Sequence, residues 1–117
     1  MALHDDTHKA ICDAIVARGD WVGVFTADPG TSGANEASGS EYGREEAAFP
    51  TGGMVSGYWV RTAPAVEVGL PSGTYTHGGL LSAASGGNFV GAEPFAGGSV
   101  TVTGTGASIT ITPSVKG

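Results

Sequence analysis

Four side chains near the start of the chain, His4, Asp5, Asp6 and His8, are of the types that ligate transition metals. His4 and His8 stand four apart, as on one face of a helix. A working cluster also needs hydrogen bonds that orient its imidazoles, and a fraying terminal segment supplies few. The simpler reading is a solvated helix start whose acids offer oxygens to free amides. A second set of carboxylates, Asp28, Glu36 and Glu41, lies in irregular polar sequence of the kind that coordinates calcium, but its spacing matches no EF-hand loop. The alternative is that Glu36 pairs with Arg44 or caps turn amides and holds that loop in one shape. The histidines are His4, His8 and His77, and none has a partner at a catalytic spacing; there is no G-x-S-x-G, H-E-x-x-H or C-x-x-C pattern. His77 is read as a hydrogen-bonded strand residue sharing a face with Tyr75. Gly86-Gly87-Asn88 and Gly104-Thr105-Gly106 precede no helix, so they read as turns and not as phosphate cradles.

Composition bounds what must position these groups. The chain has 117 residues, room for a single domain spanning 1–117. Gly accounts for 21 positions, and Leu, Ile, Val and Phe together supply only 23, so the core is expected to be thin. Charged residues are 14% and the net charge is -6, without a basic run, which argues against nucleic acid as a partner. The lone Cys12 excludes an intrachain disulfide and reads as a small core residue. No stretch approaches the roughly 20 apolar residues that span a bilayer, and no basic segment followed by an apolar run marks export. A soluble chain without membrane contact is expected, with no cofactor.

Hydrophobic spacing supplies the elements. Ala10, Ile11, Ala14 and Ile15 recur at helical period between the Asp5-Asp6-Thr7 cap candidates and Gly19, predicting a helix over 6–18 with Ile11, Ala14 and Ile15 inward. From Trp21 the period is two, giving a strand buried on at least one face. A polar loop over 27–43 follows, opened by Asp28-Pro29-Gly30, and loops of that length in a small domain usually serve function or contact a partner. Further strands are expected at 44–49, 57–61, 65–68, 73–81, 88–91, 100–103 and 107–112, the last two as a closing hairpin around Gly104-Thr105-Gly106. Short strands at this spacing, without a second helix, predict an all-β antiparallel sandwich, jelly-roll or Greek-key-like, over 21–112 with one short N-terminal helix. Trp21, Phe25 and Trp59 are candidate core residues.

The run from Val22 to Arg44 resembles a block of a family of small tailed-phage structural proteins, labelled tail-fibre-like, minor tail or head-decoration proteins. Its elements are Thr26-Ala27-Asp28-Pro29, then Gly33, Asn35, Glu36, Ser38 and Gly39, then Tyr42 and Arg44. Thr76 to Phe89 resembles a second block, although Gly78-Gly79-Leu80-Leu81 stands where such proteins more commonly carry an aromatic residue, and 100–112 resembles that family's closing β-hairpin. The resemblance implies a non-enzymatic virion protein, assembled in the host cytoplasm. Its expected partners are copies of itself, a trimer among the candidates, and the major capsid protein or tail proteins. Capsid decoration or a minor structural role is the first expectation; a tail or fibre-tip module binding host carbohydrate through Tyr42, Tyr58 and Tyr75 is the alternative. A thin core gains from subunit contacts at about 25 cal/mol per Å² of apolar area, which favours self-association. The N-terminal helix and the long loop, with Asp28, Asn35, Glu36, Tyr42 and Arg44, are the expected contact segments.

Overall fold

A computed structural model describes residues 1–117. It is an all-β, sandwich-like fold of antiparallel sheets with one short N-terminal helix. The helix, α1, spans Asp5–Arg18, one residue longer than expected, and is capped by His4, whose Nδ1 accepts from the Asp6 amide at 3.1 Å. The acids Asp5 and Asp6 therefore sit in the first turn, where they complement the helix dipole, and are not the cap itself.

Four strands form the main sheet in the order β2 (Glu45–Glu46), β1 (Trp21–Phe25), β7 (His77–Leu81), β8 (Phe89–Pro94). Strand β1 is buried on both faces from Val22 to Phe25, as a strand between two layers must be. The other layer is a long ribbon in which β5 (Val66–Gly69) and β6 (Gly73–Tyr75) run against β10 (Ser108–Ile111) and β9 (Val100–Val102). Between the layers lie Val22, Val24, Val68, Leu70 and Tyr75, with Ile109, Ile111 and Val102 packed against them. Strand β11 (Ser114–Lys116), β4 (Tyr58–Thr62) and β3 (Gly53–Val55) form a third sheet, and α1 packs on β4 and β11 through the fully buried Cys12. The Cys12 thiol donates to the Val115 carbonyl at 3.4 Å, and burial raises its pKa, so it is a packing residue.

The closing hairpin is not formed. β9 and β10 do not pair with each other; each pairs with the 66–75 ribbon. Ser108 faces Gly69 and Val102 faces Gly73, so six residue steps on one side oppose four on the other. The glycines at 104 and 106, both at positive φ, make a bulge of the ribbon and not its turn. The expected single strand over 73–81 is two, because the chain changes sheet at Thr76: Tyr75 is buried against β9 while His77 pairs with Phe25 and Pro94. Only Glu45–Glu46 of the expected 44–49 strand is paired, and β3 and β11 lacked the alternation that would have announced them.

Helix facing also differs. Cys12 is the fully buried position, Ile15 is half-buried, and Ile11 and Ala14 are exposed, with Ile11 at 42%. Almost every residue from Ala10 to Ala17 except Asp13 is apolar, so period alone leaves the inward face open, and the small Cys12 allows the closest approach to β11. Of the expected aromatic core only Phe25 is fully buried; Trp21 is half-buried, and Trp59 is half-buried with its indole N–H on the Thr51 carbonyl at 2.9 Å.

Arg61 joins the third sheet to its surroundings. It donates to the carbonyls of Phe49 (2.9 Å) and Pro50 (2.7 Å) and to Asp13 of α1 (3.1 Å). Lys9 lies 2.6 Å from the same Asp13 carboxylate and, with Arg61, lowers its pKa. Arg61→Met should remove the donors from the two carbonyls and lower stability by about 1–2 kcal/mol. Urea unfolding measures it, and an unchanged midpoint would show that Arg61 does not tie helix to sheet.

Candidate functional site

Three of the five candidate contact residues converge. Loop residues 26–44 leave β1, return to pair across its end (the Ala37 amide to the Val24 carbonyl and the Thr26 amide to the Asn35 carbonyl, both 2.9 Å), and then pass over the sheet. Glu36 takes a bidentate pair of bonds from Arg44, Nε to Oε2 at 2.7 Å and a terminal nitrogen to Oε1 at 2.8 Å. The other terminal nitrogen donates to the carbonyls of Ala83 and Gly86, each at 2.8 Å. Tyr42 donates its hydroxyl to Glu36 Oε2 at 2.5 Å and accepts from the Val24 amide at 3.3 Å. One guanidinium and one carboxylate thereby join the loop, β1 and the 82–88 turn. Their side chains are 9% and 21% exposed, so the pair is shielded from solvent.

Glycine at the centre of β1 makes this possible. A Cβ on Gly23 would lie 3.1 Å from the Tyr42 hydroxyl, 3.3 Å from Glu36 Oε2 and 2.6 Å from a Leu81 methyl. Only a bare backbone lets the tyrosine and carboxylate lie over the strand. Gly33, at φ +77, turns the loop inward at a point where a Cβ would meet the Phe89 ring at 2.9 Å. Phe89 in turn stands edge to face with Phe25, centroids 5.7 Å apart.

Asp28 and Asn35 form a separate, exposed pair at the loop tip. Asp28 Oδ1 accepts from the Gly30 amide at 2.8 Å, and Asn35, at φ 68, donates from its side chain to the Asp28 carbonyl at 3.1 Å. Glu41 points elsewhere, accepting from the Gly106 amide at 3.2 Å across the ribbon bulge. The three acids considered for calcium are thus bound to three different partners. No group of three or more His, Cys, Asp or Glu side chains is placed to hold a metal ion. Of the N-terminal set, His4 caps the helix while His8 reaches the Gly117 carbonyl at 3.1 Å.

Other candidate chemistry is equally committed to structure. His77 Nδ1 lies 2.7 Å from the hydroxyl of its chain neighbour Thr76. The aromatic shelf considered for carbohydrate is not assembled: Tyr75 is buried with its hydroxyl on the Pro71 carbonyl, Tyr42 is half-buried in the Glu36 network, and Tyr58 alone is exposed. Sequence reading offered Arg44 as one of two options for Glu36, beside a cap on turn amides, and missed Gly23, Phe89 and the two carbonyls on Arg44; a glycine inside an otherwise bulky strand was the available signal.

Electrostatics follow the geometry. Arg44, with a smaller contribution from Tyr42, holds the Glu36 carboxyl below its ordinary range. Burial and then the bond to Glu36 push the Tyr42 hydroxyl well above its usual value. The folded protein therefore holds the Glu36 proton less tightly than the unfolded chain does. The stability this contributes is whole above the ordinary value of 4.5 and falls as pH drops through the folded value. Tyr42 acts oppositely, its contribution being whole below 10.0 and lost as pH rises beyond it.

The chain matches, over residues 7–113, the family described as Podophage GP4 fiber I protein gp80. No curated protein and no solved structure matches it.

Arg44→Met should cost on the order of 3 kcal/mol, because it strands a shielded carboxylate and two carbonyls. Thermal unfolding against pH checks both parts: the midpoint falls at pH 7 and the acid-side decline flattens. A variant that keeps the wild-type acid profile would show that this pair does not set it.

Proposed function

The chain belongs to the family described as Podophage GP4 fiber I protein gp80, a family of phage virion structural proteins, and we propose that it works without catalysis as part of the fibre apparatus. In this reading it acts by associating with copies of itself and with neighbouring tail proteins, after assembly in the host cytoplasm. The family match, which spans the whole interlocked region from α1 to the ribbon, carries the proposal. A fibre position is preferred to capsid decoration because the family's description names a fibre.

Physical features support a scaffold role. Three of the ionisable groups displaced from their ordinary behaviour, Glu36, Tyr42 and Arg44, are bound to one another and to backbone, an arrangement that suits holding a loop in place. A loop fixed by a bidentate ion pair presents one shape, which lowers the ordering cost of docking. Its exposed tip, Asp28 to Asn35, is the surface offered to a neighbouring virion protein, held from beneath by Glu36, Tyr42 and Arg44. Tyr58, the exposed tyrosine, is the residue left for glycan contact in the adhesion alternative.

Gold-labelled antibody against the protein, imaged on purified virions, tests the placement. Label confined to the fibres is expected. Label spread over the capsid would replace the fibre reading with decoration, and unlabelled particles would overturn a virion role.

A further inference from the structure

The two layers do not close along the β8 side. A groove of about 900 Å³ runs between them, lined by Val22, Leu80 and Val90 of the main sheet and by Ile109, Ile111 and Pro113 of the opposing layer. Strand β8 is the outer strand of its sheet, so the groove is flanked by an unpaired strand edge, a feature that proteins usually cover. Arg18 and Lys116 lie on its rim. They are also the two basic side chains that make no ion pair, since Lys9, Arg44 and Arg61 are all bound to carboxylates.

A matching convex surface exists on the same chain. The outer face of α1 carries Ala10, Ile11, Ala14 and Ala17, all exposed and within one third of the helix circumference. Ile11 is 42% exposed, and the acids Asp5 and Asp6 occupy the first turn. Small residues around one larger apolar side chain let a helix sit close to an apolar floor.

We propose that the groove of one copy receives the outer face of α1 from a second copy, with the acidic first turn of the incoming helix beside Arg18 and Lys116. The inference rests on the self-association in the proposed function and names the surfaces that perform it. Opposite charge favours this occupant, because the chain carries a net -6 while both of its unpaired basic side chains line the groove, against the single acid Glu93 there. The chain exposes 6345 Å², against about 5,800 Å² for a compact monomer of 11.5 kDa, so it carries surface to spare. Because the helix face and the groove are different patches, the contact is head-to-tail and builds a ring or a short stack.

Light-scattering chromatography of the full chain, run at about 100 µM to exceed the micromolar range of weak interfaces, tests this. Wild type should elute as a multiple of 11.5 kDa. Ile11→Glu, on the exposed helix face, and Ala96→Glu with Lys116→Glu, on the exposed groove rim, should each give monomers with unchanged circular dichroism. Mixed, the two variants should form a pair of twice the monomer mass, since each retains one working half. A monomeric wild type would overturn the inference while leaving the virion-labelling result to decide the fibre reading. Loss of assembly with Ile11→Glu but not with the groove variant would also overturn it, in favour of helix packing on helix, as would failure of the mixed variants to pair.

Discussion

The Glu36 to Arg44 pair is the contact on which the arrangement of the long loop, β1 and the 82–88 turn depends. Of the five N–H donors on the guanidinium, four are accounted for: two on the carboxylate and two on the carbonyls of Ala83 and Gly86. Those acceptors sit at either end of a span of about fifty residues, from Glu36 to Gly86. Removing a partner from such a network leaves partly shielded polar groups uncompensated, which costs more than the network contributes when whole. Gly23 and Tyr42 are consequences of the same arrangement, the glycine leaving space over β1 and the phenol filling it.

A thin core explains why polar clamps occur at all. Only 16 of 117 residues are buried, and no buried one is charged or polar in the sense of losing all solvent contact, so the loops are not pinned by hydrophobic area alone. Arg61 repeats the device at the other end of the molecule, one carboxylate and two carbonyls on one guanidinium. Planar, multiply donating groups suit this task better than ammonium groups do, because their geometry is set before the bonds form. Lys9 and Lys116 accordingly stay at the margins, each over an aromatic ring, Trp59 and Tyr58 respectively.

What could be read from sequence divides along a physical line. Alternation is a local property, so β1, β4, β5 and the strands near 100 and 110 were visible in it. Partner choice is a long-range property: Val100 to Val102 and Ser108 to Ile111 have the pattern of a hairpin, yet both find lower-energy partners in 66–75, where Val68, Leu70 and Tyr75 become buried. The helix was visible for the same local reason, and its facing was not, since an alanine-rich segment has apolar residues all round. Within the site, the Glu36 and Arg44 pairing was legible only as one of two options, since a carboxylate in a Gly-rich loop can equally cap turn amides. The carbonyls that Arg44 engages belong to a distant Ser- and Gly-rich turn that carries no side-chain signal.

Family membership and geometry together limit what kind of machine this is. Unsatisfied polar groups would be a costly reserve in a domain with few core residues. Here no buried side-chain nitrogen or oxygen lacks a partner. The reserve that does exist is apolar: an open groove, an uncovered strand edge and a helix face turned outward. Unspent apolar surface drives association with other protein surfaces, and repeated copies multiply such contacts by avidity. Satisfied polar groups beside open apolar ones are the distribution that the proposed role in an assembly calls for.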